Sequence, residues 1–213
     1  MGKKSYLVEK NPLPASLFSK PNAKEKTKLG SSAALEVYLQ ASHLKNIYRR
    51  AWLKFLPKEK IESDGDRVFG VTLLSMLLAN ESFPELDKRK VLEMALVHEL
   101  GEAYTGDIVP DDKVPHEKKF RGEKIAVEKI FSSHPQGKKY LQLWHEFEEG
   151  KTPEARFVKQ IDRLELALQT IVYQAQSGKD ISEFIEFSQK SIYDPRLRKI
   201  FDEALELKKK RGD

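Results

Sequence analysis

Apolar residues recur along this chain at helical spacing and show no convincing alternation. Behind Ser31 and Ser32, which can cap a helix, Leu35, Tyr38, Leu39 and His43 repeat every three to four residues. The pattern predicts a first helix reaching about Arg50. Trp52 to Gly65 reads as a connection, broken by Pro57 and by the Ser-Asp-Gly-Asp run at 63–66. Arg67 to Ala79 is apolar almost all round, which suits a helix in the centre of a fold. A third helix is predicted from about Asp87 to Thr105, stopped by Gly106. Residues 107–115 read as a loop, and helices follow at about 116–133 and 137–149. Thr152-Pro153 has the form of an N-cap and a first-turn proline. The helix behind it carries Phe157, Val158, Ile161, Leu164, Leu168, Ile171 and Val172 to about Gln176, with Gly178 as its stop. A short helix from Asp180 and a last one behind Asp194-Pro195 complete the series. There is no internal repeat. The expected architecture is an all-α domain of packed helices.

Composition narrows the chemistry. The 213 residues suit one domain. Cysteine is absent, so disulfides and thiol catalysis are excluded and any metal must be held by His, Asp or Glu. No apolar run approaches a membrane span, and no secretory pattern opens the chain, so the expected compartment is the cytoplasm. The net charge of +5 is unevenly placed. Residues 1–30 hold seven Lys against two Glu, whereas the remaining 183 residues hold 31 basic and 31 acidic groups. The excess belongs to a lysine-rich leader, read as a solvated arm, with 31–213 as the folded domain. Nucleic acid is not an expected partner. The basic run at 208–211 is read as a helix end, where positive charge suits the helix dipole.

The stretch Ala95–Pro110, ALVHELGEAYTGDIVP, concentrates ionisable groups directly after an apolar run. His98 and Glu102 are spaced i, i+4, which puts them on one face of a continuous helix. Glu99 lies beside His98, and Gly106-Asp107 closes the segment. Such groups are costly to bury without partners, and a metal ion or a hydrogen-bond chain would supply them. The H-E-x-x-H zinc-protease motif is not met, because its second His position is Glu102. Asp162, in FVKQIDRLELAL, is a charge beside the apolar face of the long helix, with Glu165 one turn on. Alone, Asp162 reads as a boundary residue paired with a nearby base. With His98 and Glu99 it can complete a mixed nitrogen–oxygen metal site, and an unligated carboxylate such as Glu102 could orient or deprotonate a bound water. His116, His134 and His145 have no ligand-like partner at clear spacing.

These blocks resemble, in order and spacing from about Leu44 to Phe201, the HD-domain phosphohydrolases, and most closely their 5′-deoxynucleotidase branch. ALVHELGEAYTGDIVP resembles the segment with His-Asp, Glu, Gly-Asp-Ile and Pro. ESDGDRVFG at 62–70 resembles Glu-Ser-Val-x-Glu-His. Arg-Arg-Ala-Trp at 49–52 resembles an Arg-x-x-Trp, FVKQID at 157–162 the segment with the last metal Asp, and LWHEFE at 143–148 a Leu-Trp-x-Glu-Tyr-Glu stretch. The resemblance implies an HD-domain helical bundle, a homodimer, a divalent metal such as Mn, Co or Mg, and hydrolysis of a nucleoside monophosphate. It implies His98, Glu99 and Asp162 as metal ligands, Glu102 and Asp107 as catalytic residues, and Arg49 and Trp52 as holders of phosphate and sugar. Two positions depart from the family pattern. Glu99 stands where the pair has Asp, which keeps a carboxylate. Arg67 stands where the first metal His is expected, and a guanidinium stays protonated and does not ligate. Arg67 is therefore expected to stand in for positive charge, pairing with Glu99 or Asp162 in a carboxylate–guanidinium fork. Three readings follow: an active nucleotidase with an altered metal site; a metal-free protein that binds a nucleotide or phosphate, with Arg67 helping to hold the anion, without hydrolysing it; and a structural remnant whose pocket is only an ion network.

Overall fold

A computed structural model describes residues 32–211; the lysine-rich leader lies outside the described residues. Helix α1 (Ala33–Ala41) starts where Ser32 accepts a hydrogen bond from the Leu35 backbone N–H. It is shorter than its periodicity predicts. The Ser42 hydroxyl donates to the Leu39 carbonyl, the chain tightens into a 3₁₀ turn over Ser42–Asn46, and it then leaves the helix to pair with residues 62–64. That pairing is an isolated antiparallel bridge between Tyr48 and Ser63, flanked by bonds from Arg49 N–H to Glu62 carbonyl and Asp64 N–H to Ile47 carbonyl. The bridge ties Arg49 to the start of α2.

Helix α2 (Asp64–Ser82) begins earlier than Arg67. The Ser-Asp-Gly-Asp run, read as a connection, is its cap: Ser63 accepts from the Asp66 N–H, and Asp66 accepts from the Ser63 N–H. Its buried positions are Asp64, Arg67, Val71, Ser75, Leu78 and Ala79, so the core-facing stripe runs straight into two charged residues.

Helix α3 (Lys88–Val97), capped by Asp87, ends before the motif it was expected to carry. Bonds from Leu100 N–H to Val97, Glu102 to Glu99 and Ala103 to Leu100 overwind residues 98–101, and α4 (Glu102–Thr105) follows as a separate helix. His98 and Glu102 therefore do not share a continuous helix face. Gly101 lets α4 press on α5 (His116–Phe131): a Cβ here would lie 2.5 Å from Glu123 Cβ. Gly106 takes a positive φ of 73°, donates to the Glu102 carbonyl and turns the chain so that Asp107 points back inward.

Helices α6 (Gly137–Glu149), α7 (Pro153–Ser177), α8 (Glu183–Ser191) and α9 (Pro195–Arg211) follow the predicted pattern closely. Thr152 caps α7, and Gly178 ends it in a left-handed turn. Helices α2, α3 and α7 pack on one another at the centre, with α6 against α3 and with α8 and α9 against α7. Val91, Met94, Val127, Ile130, Trp144, Val158, Ile161 and Leu164 lie in the main core. A smaller cluster of Trp52, Leu56, Ile61, Leu166, Tyr173 and Ile181 fixes the irregular segment 47–61 against α7. No described helix is long and apolar enough to cross a membrane.

Candidate active site

Three core helices bring charge to one place. The end of α3 delivers His98 and Glu99, α2 delivers Arg67, and α7 delivers Asp162 and Glu165. His98 is buried, and its Nδ1 is 2.7 Å from the Ala95 carbonyl. In the neutral ring that bond keeps the proton on Nδ1 and leaves the lone pair on Nε2, the form that a metal would take. Nε2 is buried without a hydrogen-bond partner, and lies 3.7 Å from Glu99 Oε1 and 3.8 Å from Asp162 Oδ1. The three ligand atoms are all within 4.8 Å of one another. An orphaned imidazole lone pair facing two carboxylates fits a divalent cation on three protein ligands.

Arg67 competes for the same group. Its side chain is 1% exposed; Nε and Nη2 donate to Asp162 Oδ1 at 3.0 and 2.6 Å, Nη2 reaches the Asp162 carbonyl at 3.1 Å, and Nη1 meets Glu165 Oε2 at 3.2 Å. The expected fork with Asp162 forms, with both donors on a single oxygen. Glu99 is a looser neighbour, 3.7 Å from Nε.

Beside this group lies a second one. Arg49 Nη1 sits 3.0 Å from Asp107, 3.3 Å from both Asp64 and Glu102, and 3.9 Å from Glu99. Asp64, Glu102 and Asp107 are buried, and a carboxylate oxygen from each lies within 4.8 Å of the others. Asp107 also accepts from the Arg50 backbone N–H at 2.6 Å. Lys119, from the first turn of α5, bridges Glu102 Oε1 at 3.1 Å and Glu123 Oε1 at 3.4 Å. The sequence motif is thus split, with His98 and Glu99 serving one group and Glu102 and Asp107 the other.

Both groups open on a cavity of about 1090 Å³, lined by Arg49, Arg67, His98, Glu99, Glu102, Asp107 and Asp162 among others. Trp52 is not among its lining residues. It is 1% exposed, donates to Glu62 at 2.9 Å, and packs against Tyr173 and Phe184. The structure thus places the Trp52 indole in the small core behind Arg49, away from the other expected site residues. Asp64, Lys119 and Glu123 were not anticipated. For Asp64 the signal was there, since the spacing Leu78, Ser75, Val71, Arg67 extends backward onto it.

Carboxylates outnumber the cations that face them, and their titration follows. Burial pushes Asp64 up to about 7 against the pull of Arg49, and Glu165 up to about 7 against Arg67. Glu102 is driven well above its ordinary value by burial and Glu99. Asp162 and Glu99 go the other way: burial opposes, but Arg67 holds Asp162 well below, and Arg49 and His98 hold Glu99 below, the usual range. His98 is raised, because Asp162 and Glu99 outweigh the burial that would lower it.

Unfolded Asp and Glu titrate near ~4. Between about 4 and 7 the folded protein keeps protons on Asp64 and Glu165 that the unfolded chain has released, so stability falls as pH rises, by up to ~1.4 kcal/mol per pH unit per group. The stability that His98 contributes below its unfolded pKa is likewise lost as pH rises through its folded value. Asp162 and Glu99 contribute stability above ~4 that is lost as pH falls. With chelator present, urea unfolding should place maximum stability near pH ~4, with a decline toward pH 8 that Glu165→Gln makes shallower. A flat profile from pH 5 to 8 would contradict the raised carboxyls.

Comparison with known proteins identifies the family. The HD domain profile matches residues 41–203. A Dictyostelium discoideum protein named 5′-deoxynucleotidase HDDC2 is 37% identical over 149 residues, spanning 67% of this chain and 78% of its own. A Schizosaccharomyces pombe protein named 5′-deoxynucleotidase hdd1 is 32% identical over 173 residues, 78% of this chain and 85% of its own. The solved structure of a conserved hypothetical protein from Pyrococcus furiosus superposes with a TM-score of 0.69 at 30% identity, covering 81% of this chain and 99% of that one. With its helical core, its buried His98 and neighbouring Glu99 facing Asp162 and these relatives, the chain belongs to the HD-domain phosphohydrolase superfamily, in its 5′-deoxynucleotidase-like branch.

Proposed function

We propose that this protein is an HD-type phosphohydrolase that cleaves nucleoside 5′-monophosphates to nucleoside and phosphate at a metal site altered by Arg67. The observation that carries the reading is the buried, unpartnered His98 Nε2 between Glu99 and Asp162, with Arg49, Glu102 and Asp107 in the same cavity. The relatives' names support the substrate class. His98, Glu99 and Asp162 would hold the divalent metal, with Mn, Co or Mg as candidates, and the bound ion would polarise the phosphoryl group and acidify a water.

The other roles belong to the chain itself. Arg49, on the cavity wall, neutralises the phosphate. Asp107 fixes Arg49 through Nη1 and the Arg50 backbone N–H. Arg67 holds Asp162 by Oδ1 and compensates its charge. Glu102 handles the proton. Water oxygen bonds to phosphorus, the P–O5′ bond breaks, the leaving O5′ takes the proton of the Glu102 carboxyl, and the proton released by the attacking water restores that carboxyl. A Glu102 carboxyl whose pKa burial and Glu99 raise well above the ordinary range suits that donation. Lys119 holds Glu102 in place.

The test is phosphate release from the deoxynucleoside 5′-monophosphates, with Mn, Co or Mg titrated into chelator-treated protein. Metal-dependent release is expected. No release with any of these metals sinks the hydrolytic reading.

The second reading is binding without hydrolysis. It is favoured by one observation, the grip of Arg67 on the Asp162 oxygen nearest His98. It predicts a rise in Tm with nucleotide and no turnover. We further propose a cytoplasmic homodimer, with residues 31–213 as its folded domain. The exposed stripe Phe69, Leu73, Met76 and Leu77 on α2 supports self-association, and a monomeric mass in light scattering would remove that element.

A further inference from the structure

The outer part of the cavity is unlike its floor. Phe184, Phe187 and Lys190, at i, i+3 and i+6 on α8, all line it, and Tyr193 follows just beyond the helix. Phe187 is 50% and Tyr193 64% exposed, so aromatic surface of both is left to solvent at the mouth. Phe184 behind them is held by Trp52, at a ring distance of 4.4 Å, and by Phe55 at 5.9 Å, so the wall rests on the small core.

Arg163 connects the two ends of the cavity. Its Nη1 is 3.6 Å from Asp162 Oδ2 on the floor, and its guanidinium lies over the Phe187 ring at 4.9 Å. Floor and wall are therefore one side chain apart, the scale of a sugar. Lys190 has no ion pair among the described residues.

We infer that this α8 wall is the base-recognising subsite, where the nucleobase of a nucleoside 5′-monophosphate stacks on Phe187 and Tyr193 while its phosphate lies on the floor. The inference rests on the proposed substrate class and extends it to named residues. A planar ring covers the exposed aromatic surface that an aliphatic or base-free phosphate would leave wet. The guanidinium plane of Arg163 offers a further stacking surface. Stacking is tolerant of base identity, so the wall selects for the presence of a base more than for which base.

The test compares a deoxynucleoside 5′-monophosphate with 2-deoxyribose 5-phosphate, which carries the same phosphate and sugar without a base. Both are measured on the wild type, Phe187→Ala, Tyr193→Ala and Phe187→Tyr, by turnover with metal and by calorimetric binding. Phe187→Ala should weaken nucleotide binding and lower kcat/KM for the nucleotide by about 5- to 150-fold, leave the base-free substrate unchanged, and be rescued by Phe187→Tyr.

Equal losses on both ligands, no loss on either, or no nucleotide binding by the wild type overturns the subsite. Nucleotide binding that weakens with Phe187→Ala in a protein without turnover upholds the wall and removes the hydrolytic reading. Equal hydrolysis of both substrates, untouched by Phe187→Ala, does the reverse. Phe187 is half exposed, so the substitution leaves the fold intact, and an unchanged Tm confirms it.

Discussion

Glu102→Gln is expected to lower kcat by about 10²- to 10⁴-fold with a much smaller change in KM. Glu102 is buried beside the floor, 3.3 Å from Arg49 Nη1 and 3.1 Å from Lys119 Nζ. Burial and the carboxylates of Glu99 and Asp64 raise its pKa well above the ordinary carboxyl range, against the pull of Arg49. Glutamine reproduces the shape of that protonated acid and cannot deliver the proton. Arg49 keeps Asp64 and Asp107 as partners and Lys119 keeps Glu123, so Tm should change little. Loss of rate without loss of fold, read by phosphate release and thermal unfolding together, assigns Glu102 to proton handling. Near-wild-type turnover would remove it from that role.

The second large effect concerns Arg67. Arg67→His should convert an altered site into a four-ligand one, raising the affinity for Mn or Co by at least about 10- to 100-fold, the scale on which changes around a metal ligand act. The substitution removes the donor pair that occupies Asp162 Oδ1 and places an imidazole among His98, Glu99 and Asp162. Without metal the same variant should be less stable by about 3–5 kcal/mol, because Asp162 and Glu165 lose their buried counter-charge. Added metal should restore the loss. Arg67→Met separates the two effects: it should show the destabilisation and no gain in metal affinity. Metal binding no tighter in Arg67→His than in the wild type would mean that Arg67 does not stand in the metal's way.

How far the sequence led depends on where the interactions lie. Helix α7 was legible throughout, because its cap Thr152, its proline at the first turn, its apolar stripe and its Gly178 stop all lie within one continuous segment. The termini of α1 and α3 were not. Each has helical periodicity beyond its true end, and each is cut short by contacts from elsewhere or by local overwinding: the Tyr48–Ser63 bridge in one case and the 98–101 turns in the other. Propensity is a weak prior against such contacts. The placement of Trp52 was not legible for the same reason. An Arg-x-x-Trp motif fixes spacing, and only the position of Tyr173 and Phe184 turns the indole away from the cavity.

The sequence by itself determined the helical class, the candidate ligands His98, Glu99 and Asp162, and the anomaly at Arg67. These follow from local periodicity and from residue types whose charge is costly to bury alone. Tertiary structure decided how those charges are partnered. It divided one contiguous motif between two carboxylate groups, added Asp64 and Lys119, and set Arg67 on Asp162 across 95 residues of chain. Ion pairs and hydrogen bonds act over a few ångströms in space, so a partner far away in sequence leaves no mark on local pattern.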